Sequence, residues 1–590
     1  MGLNLTKLAE LAKQIQATAQ TQLSPPKTIP INGIMAALAK ISAAADQKAT
    51  EEVTTIELGK QAAAANTFTD RFGKTITYNE KQMKFVELAS SGADCILIGA
   101  AGTGKTTCMK GTVNALIDNG IAGVLDAKDH KYLISETPGI VVVAFTRRAV
   151  NNIRKNMPED MQQNCITIHK LLEYEPVFYT VWDPVKNKEV NKVEFRPARN
   201  EMNPLPPTIH AIAFEEGSMV GTDIHEEVED AMPHRHQKIY LGDIQQLPPV
   251  FGPAILGFKL LELPVVELTE VYRQALESPI IRLAHRILSG KIIHPEELKT
   301  MIVPGQLSIA PWSKEILPSA ALKVLGSNVV DKNGHMGYFP EAIKQGHYDP
   351  VEDMILIPQN VGLGTEELNK YIAQYIAHRD ERDVWEIIAG FEKHYFSVGD
   401  KVMYERADGV ITKIEYNPLY SGGKMVRKPS KTLTYWGMET SKAAKKSDTI
   451  ESANIGDVDM LLSSVAAVDK EERVNSASHK VTVRLFDSDK EIILDKAAQI
   501  NNTILGYALT VHKSQGSEWR RVFVVFHKEH NRMLQRELLY TAVTRAKEEL
   551  VIICERDSFI QGIQSQRIQG NTLAEKAEFF KGKYKKEEMK

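Results

Sequence analysis

Short apolar runs recur along the chain between longer stretches whose apolar positions fall three and four residues apart. From about residue 76 the runs are Cys95–Ile98, Ile140–Phe145, Ile209–Phe214, Lys238–Leu241 and Val265–Leu268, then Met354–Ile357, Val522–Phe526 and Leu550–Cys554. Runs this short, without polar alternation, fit strands buried on both faces, as in a parallel sheet covered by helices. They fall in two groups, which predicts two α/β domains. Two stretches interrupt the alternation. Phe178–Trp182 and Val190–Phe195, around Asp183 and Pro184, read as a β-hairpin within 174–207. Residues 396–500, with Gly399, Asp400, the Ser421–Gly423 turn and Val481–Leu485, predict a small β-rich insertion, poorly ordered around 438–478.

Residues 1–75 read differently. Leu5, Leu8, Leu11 and Ile15, with Leu3 alongside, predict an amphipathic helix stopped at Ser24, Pro25 and Pro26. A second helix is expected over Gly33–Ala45. This piece is a small helical appendage, either a partner-docking module or a packing extension.

The length of 590 residues allows three to five domains at about 100–200 residues each. With 43% hydrophobic and 25% charged residues, disordered, collagen-like and disulfide-scaffold classes are excluded. No apolar run approaches the ~18 residues of a membrane span, and the start lacks a secretory pattern, so a cytoplasmic location is expected. Cys95, Cys108, Cys165 and Cys554 are scattered without a CxxC pair, which argues against zinc and for a reducing compartment. The net charge of −3 excludes only a protein that is basic all over, because a polyanion feels the local field of its groove.

Gly99, Ala100, Ala101, Gly102, Thr103, Gly104, Lys105 and Thr106 match G-x-x-x-x-G-K-[ST], between an apolar run and a helical stretch. Glycines let backbone N–H groups turn around phosphate oxygens, and the helix N-terminus adds a favourable dipole. Lys105 would neutralise β- and γ-phosphate charge, and Thr106 would hold Mg²⁺, with Thr107 beside it. Glu215 and Glu216 follow the run Ile209–Phe214. One carboxylate would hold the metal and the next would polarise the attacking water.

Further segments, in order, resemble the motifs of superfamily 1 helicases. Gly242–Val250 (GDIQQLPPV) resembles the γ-phosphate-sensing motif, and its QLPPV ending looks like the RecD-like and Dda-like B branch. Asn79–Gln82 resembles the adenine-reading motif. Ala144–Ala149 and Thr167–His169 resemble first-domain DNA contacts. Leu268–Gln274 resembles the arginine-finger motif. Thr510–Glu518 and Tyr540–Ala546 resemble the fifth and sixth motifs. The resemblance spans about 76–556, dense in 79–290 and 504–555. It departs from the family at Glu215, where Asp is usual; the added methylene alters placement around Mg²⁺, whose octahedral geometry is strict.

The resemblance implies an α/β fold of two RecA-like P-loop domains. The first covers 76–267 with the hairpin at 174–207; the second covers 268–395 plus 501–560. An SH3-like β insertion occupies 396–500, a helical extension 1–75, and a charged tail 561–590. ATP and Mg²⁺ are the implied cofactors. Lys105, Glu216, Gln246, Arg273 and Arg545 would serve hydrolysis, and Thr106 and Glu215 the metal. Gln82, Tyr272, Gln515, Gly516 and Glu518 would join the P-loop around the nucleotide. Thr146, Arg147, Thr167, His169, Thr510, His512 and Lys513 would grip single-stranded DNA. Trp182 or Phe195 would stack on the first base pair of a fork. The implied activity is 5′ to 3′ DNA unwinding by a monomer, with replication or recombination partners engaged through 1–75. A translocase that does not unwind, and a non-catalytic nucleotide-gated DNA-binding protein, are the alternatives.

Overall fold

The protein is described here by a computed structural model covering residues 66–590 apart from 70–74, 129–130, 135–136, 184–187, 233–235, 250–253, 272–276, 295–296, 298–306, 312–336, 405–406, 421–425, 440–448, 451–475, 487–488, 571 and 588–590. The two helices expected before residue 50, and most of the stretch 438–478, lie outside the described residues.

The first lobe is built on six strands: β1 (Cys95–Gly99), β2 (Gly139–Ala144), β3 (Cys165–Thr167), β4 (Ile209–Phe214), β5 (Gln237–Gly242) and β6 (Val265–Leu268). They pair in the order β6-β1-β5-β4-β2-β3, every pair parallel. The continuous apolar runs follow from burial on both faces. Leu97, Val142, Ala213 and Leu241 enter one core, while their neighbours Ile96, Val141, Ile212 and Tyr240 enter the other. Helix α1 (Glu80–Ser90) precedes β1 and helix α2 (Lys105–Asp118) follows it. Helix α3 (Arg147–Arg154) follows β2 and is capped by Thr146, whose Oγ1 accepts from Ala149 N at 3.1 Å.

The second lobe repeats the plan with β7 (Leu307–Pro311), β8 (Met354–Ile357), β9 (Ala508–Thr510), β10 (Trp519–Phe526) and β11 (Ala546–Cys554). The order is β7-β11-β10-β8-β9, again all parallel. Helix α4 (Arg536–Val543) leads into β11. The eight apolar runs all fall on these strands.

Between β8 and β9 the chain forms a five-stranded antiparallel sheet in the order Glu491–Lys496, Ser476–Leu485, Ala407–Tyr416, Lys401–Tyr404, Thr503–Leu505. Its last strand lies beyond the boundary expected at residue 500. One apolar cluster contains Ile355, Ile357, Phe523 and Val525 of the lobe together with Val402, Ile411 and Val481 of the insertion. The insertion is therefore fused to the lobe by a shared core.

The hairpin runs longer than the apolar pattern indicates, Tyr174–Asp183 against Lys188–Pro197. The register puts Trp182 opposite Glu189 and Phe195 opposite Pro176, so both aromatics share one face of the ribbon. They are 56% and 64% exposed, and so do not pack beneath it.

The expected charged tail takes another form. Residues Arg556–Gln564 are helical, and helix α5 spans Leu573–Glu587. Lys576 on α5 is buried, and its ammonium donates to Gln245 Oε1 in the first lobe. Ile568 and Phe580 form a small core with Phe258 and Phe579. Charge content alone gives no sign of these apolar anchors.

Candidate nucleotide site and strand-facing surface

β1 ends at Gly99, where a Cβ would lie 2.4 Å from Thr103 Oγ1, so the turn needs glycine. Gly102 and Gly104 take φ of 80° and 88°, the left-handed region that lets the loop wrap inward. Gly104 caps α2 without a side-chain acceptor, leaving the first-turn N–H groups directed at whatever sits in the loop. Lys105 Nζ donates to Gly99 O at 2.6 Å and Ala100 O at 3.3 Å. Thr106 is exposed and Thr107 half-buried on the same turn.

The acidic pair follows β4 directly. Glu216 has φ 53°, a left-handed conformation rare for a residue with a side chain. Glu215 is buried, and Oε1 has no hydrogen-bond partner among the described residues. Burial pushes its carboxyl up to about 7; the Glu216 charge adds to this and Lys105 opposes it. A cation against this carboxylate would offset the desolvation. Gln246, on the turn after β5, also buries an unpartnered Oε1.

Gln82 is fully buried and engaged at both ends of its amide. Oε1 accepts from Asn79 N at 3.1 Å, closing a capping box, and Nε2 donates to Thr103 O at 3.3 Å. It thus ties α1 to the P-loop. Tyr272 and Arg273 lie outside the described residues.

The second lobe meets this site through α4 and the loop after β9. Gln515 Nε2 donates to Leu247 O at 2.5 Å, and Leu247 N donates to Thr541 Oγ1 at 3.0 Å. Ala101 N donates to the Tyr540 hydroxyl at 2.7 Å, which in turn donates to Asp243 Oδ2 at 2.6 Å. His285 Nε2 donates to Ala101 O at 3.1 Å. Arg545 is buried, donating to Thr541 O, Ser517 O and Thr544 Oγ1 at 3.0, 3.2 and 3.1 Å, all within its own lobe. Glu518 is exposed and pairs with Lys547 at 3.3 Å. Tyr540, Thr541 and His285 are the residues that motif matching missed; the first two lie inside a matched motif, where attention falls on the arginine.

Away from the P-loop, Gly516 (φ 71°) packs on Thr146: a Cβ there would lie 2.8 Å from Thr146 Oγ1. Asn152 Nδ2 reaches Gly516 O at 3.4 Å. Arg147 is exposed on α3. Its neighbour Arg148 turns to the second lobe, pairing with Asp408 of the insertion and lying 4.8 Å over the Trp519 ring. Thr167 caps a short helix, accepting from Lys170 N at 3.2 Å. The His169 ring packs between Phe145 and Tyr174, with centroids at 5.4 and 5.0 Å. Thr510 is buried at the end of β9 and accepts from Lys513 N at 3.2 Å. His512 is half-buried, its pKa lowered by burial and by Arg567, and Lys513 is exposed.

The four cysteines are buried and form no disulfide, and burial holds Cys95, Cys108 and Cys165 up near 12, so these three are not reactive thiols. Among the described residues there is no cluster able to hold a metal through His, Cys, Asp and Glu alone. No helix among them is long and apolar enough to cross a membrane.

A P-loop and an acidic pair on one parallel α/β lobe, joined by hydrogen bonds to a second such lobe, give the chain the build of a two-lobed P-loop protein. Residues 77–308 match the family described as an AAA domain, and residues 505–553 match the UvrD-like helicase C-terminal domain. The chain is 26% identical over 477 residues to the ATP-dependent RecD2 DNA helicase of Deinococcus radiodurans, covering 80% of this chain and 48% of that one. The chain thus spans about half the length of that relative. It is 42% identical over 67 residues to the RecBCD enzyme subunit RecD of Mycobacterium tuberculosis, covering 11% of this chain and 12% of that one. A solved Pif1 helicase from Bacteroides, in complex with ADP-AlF3 and ssDNA, aligns at 16% identity and a TM-score of 0.41, over 86% of this chain and 97% of that one. In these family matches and in the long RecD2 alignment, the chain is similar to the RecD-like B branch of the superfamily 1 helicases.

Proposed function

We propose that the protein is an ATP-dependent DNA helicase that tracks along single-stranded DNA, 5′ to 3′, and splits the duplex at a fork. The observation that carries this reading is the pairing of Ala101 and Leu247 in the first lobe with Tyr540 and Thr541 in the second. It sets the P-loop and the sensor turn against the motif that bears Arg545. A nucleotide held there would bridge the lobes, and its hydrolysis would let them part, moving two DNA-gripping surfaces relative to each other. The orphaned Glu215 Oε1 and Gln246 Oε1 and the uncapped start of α2 fit an Mg²⁺-bound nucleoside triphosphate. Thr106 and Glu215 would hold the ion, which would neutralise charge on the phosphates. Glu216 would orient the attacking water, and Arg273 and Arg545 would stabilise the γ-phosphoryl group.

Arg147, Lys513, Thr146, Thr167, His169, Thr510 and His512 would meet the strand, and the antiparallel insertion, an SH3-like module in this reading, would close over it. Trp182 and Phe195, exposed on one face of the ribbon, suit stacking against a base pair. A forked duplex with ATP and Mg²⁺ tests the proposal. Strand release is expected from the intact protein and none from Lys105→Ala. Trp182→Ala combined with Phe195→Ala should cut unwinding roughly tenfold while leaving single-strand-stimulated hydrolysis near normal, given ~1–3 kcal/mol per stacked base. Hydrolysis and translocation without strand release by the intact protein would establish the non-unwinding translocase instead.

A further inference from the structure

Among the described residues, four side chains of the second lobe reach two backbone units of the first at the nucleotide side. Ala101 donates its N–H to Tyr540 and receives His285 at its carbonyl. Leu247 donates its N–H to Thr541 and receives Gln515 at its carbonyl. Of the four side chains, only Tyr540 touches both the P-loop and the sensor turn, because its hydroxyl also donates to Asp243.

We propose that Tyr540 is a positioning residue for ATP hydrolysis: its buried hydroxyl locks the Ala101 amide and the Asp243 carboxylate to the helix that precedes Arg545. The inference rests on the ATPase reading above and adds a residue to it.

The geometry leaves little freedom. The hydroxyl has one proton, which goes to Asp243 at 2.6 Å, and its oxygen accepts from Ala101 at 2.7 Å. Burial and the Asp243 charge raise its pKa well above the usual phenol value, so the proton stays at neutral pH. Asp243 is itself buried, and its Oδ1 accepts from Gln245 N at 2.9 Å, which shapes the turn that carries Gln246. A shift of the lobes by one ångström would stretch both phenol contacts at once and leave buried donors and acceptors unmet. This one oxygen therefore ties the P-loop and the sensor turn to the Arg545 segment, alongside the contacts made by Thr541, Gln515 and His285. The alternative is a core tyrosine whose hydroxyl is merely satisfied.

Steady-state hydrolysis by the full chain, with and without single-stranded DNA, separates the two. Tyr540→Phe keeps the ring and removes the hydroxyl. The expected result is a kcat lower by roughly tenfold, a KM for ATP within about twofold, and loss of most of the stimulation by DNA. Asp243→Asn keeps an acceptor for the hydroxyl and should recover most of the activity that Asp243→Ala loses. In Tyr540→Phe, adding Asp243→Ala should lower kcat by less than it does in the intact protein. Unchanged kcat and DNA stimulation in Tyr540→Phe would overturn the proposal, as would a lower melting temperature as the sole change. Should Tyr540→Phe fail to fold, the Asp243→Asn and Asp243→Ala pair decides: equal loss in both would overturn the proposal. An intact protein that matches Lys105→Ala in releasing no phosphate would sink the ATPase reading instead.

Discussion

Among the described residues, the lobes meet at the P-loop and at α3 through different chemistry. At the P-loop the contacts are short and directional hydrogen bonds: two backbone amides, a phenol that also donates to the buried Asp243 carboxylate, a threonine hydroxyl, a glutamine and a histidine whose pKa burial lowers. At α3 the principal contact is ionic, Arg148 pairing with Asp408 and lying over Trp519, and the candidate strand residue Arg147 is next along the chain. Hydrogen bonds fade within an ångström and are little affected by salt; charge pairs act over several ångströms and are screened by it. The nucleotide junction is thus suited to sensing small changes in geometry. The α3 junction is suited to competition with a polyanion, because phosphates and Asp408 offer arginine the same kind of partner.

The largest expected effect lies at the nucleotide junction. Lys105→Ala should reduce DNA-stimulated hydrolysis by about 10³-fold, since phosphoryl transfer depends almost wholly on charge placement. Phosphate release measured from 50 to 200 mM salt at saturating DNA sharpens the contrast. The defect should be the same at every salt concentration, whereas DNA binding by the intact protein should weaken steeply. A defect relieved by salt would show that the two junctions are not chemically separate.

Next in size is the ionic junction. Arg148→Leu leaves Asp408 buried without its cation and should destabilise the fold by about 2–4 kcal/mol, read from thermal melts. The exchange Arg148→Asp with Asp408→Arg should recover part of this. It should not recover DNA affinity if Arg148 also meets the strand, because α3 then carries the wrong sign. Full recovery of both would confine Arg148 to a structural role.

How much of this was legible in the sequence depends on the range of the interaction. Eight of the eleven lobe strands could be placed from apolar runs, because burial on both faces leaves a local trace; β3, β7 and β9 carried no such run. The P-loop and the acidic pair stand out as candidates for a similar reason: each is a contiguous stretch beside an apolar run. Tyr540 and Ala101 are separated by more than 400 residues, and nothing near either one signals the other. The docking of α5 was hidden because Lys576 and its neighbours read as solvated charge until the fold supplied Gln245 as a partner. The insertion's last strand, Thr503–Leu505, was missed because three residues are too few to set a period. Arg147 was singled out and Arg148 left unassigned; only the fold shows that Arg148 turns to Asp408 and Trp519.

The smallest effect concerns a second cation beside the ionic junction. Lys401 is fully buried on the insertion strand, and Nζ donates to Asp353 O at 2.9 Å. Burial, reinforced by the Arg148 charge and opposed by Asp353, lowers its pKa to about 7 from the ordinary 10.5. Below pH 7 the lysine is charged in folded and unfolded chains alike, and the folded state carries the full desolvation penalty. Between 7 and 10.5 the unfolded chain binds a proton that the folded one does not, so this group makes stability rise with pH; above 10.5 the penalty is gone. Lys401→Met should therefore stabilise the protein by roughly 1–4 kcal/mol at pH 6, with the gain shrinking toward pH 10. Melting curves at pH 6, 8 and 10 for both proteins measure it. A gain constant across that range would mean the lysine is buried uncharged throughout, and the α3 junction would then owe its ionic character to Arg148 and Asp408 alone.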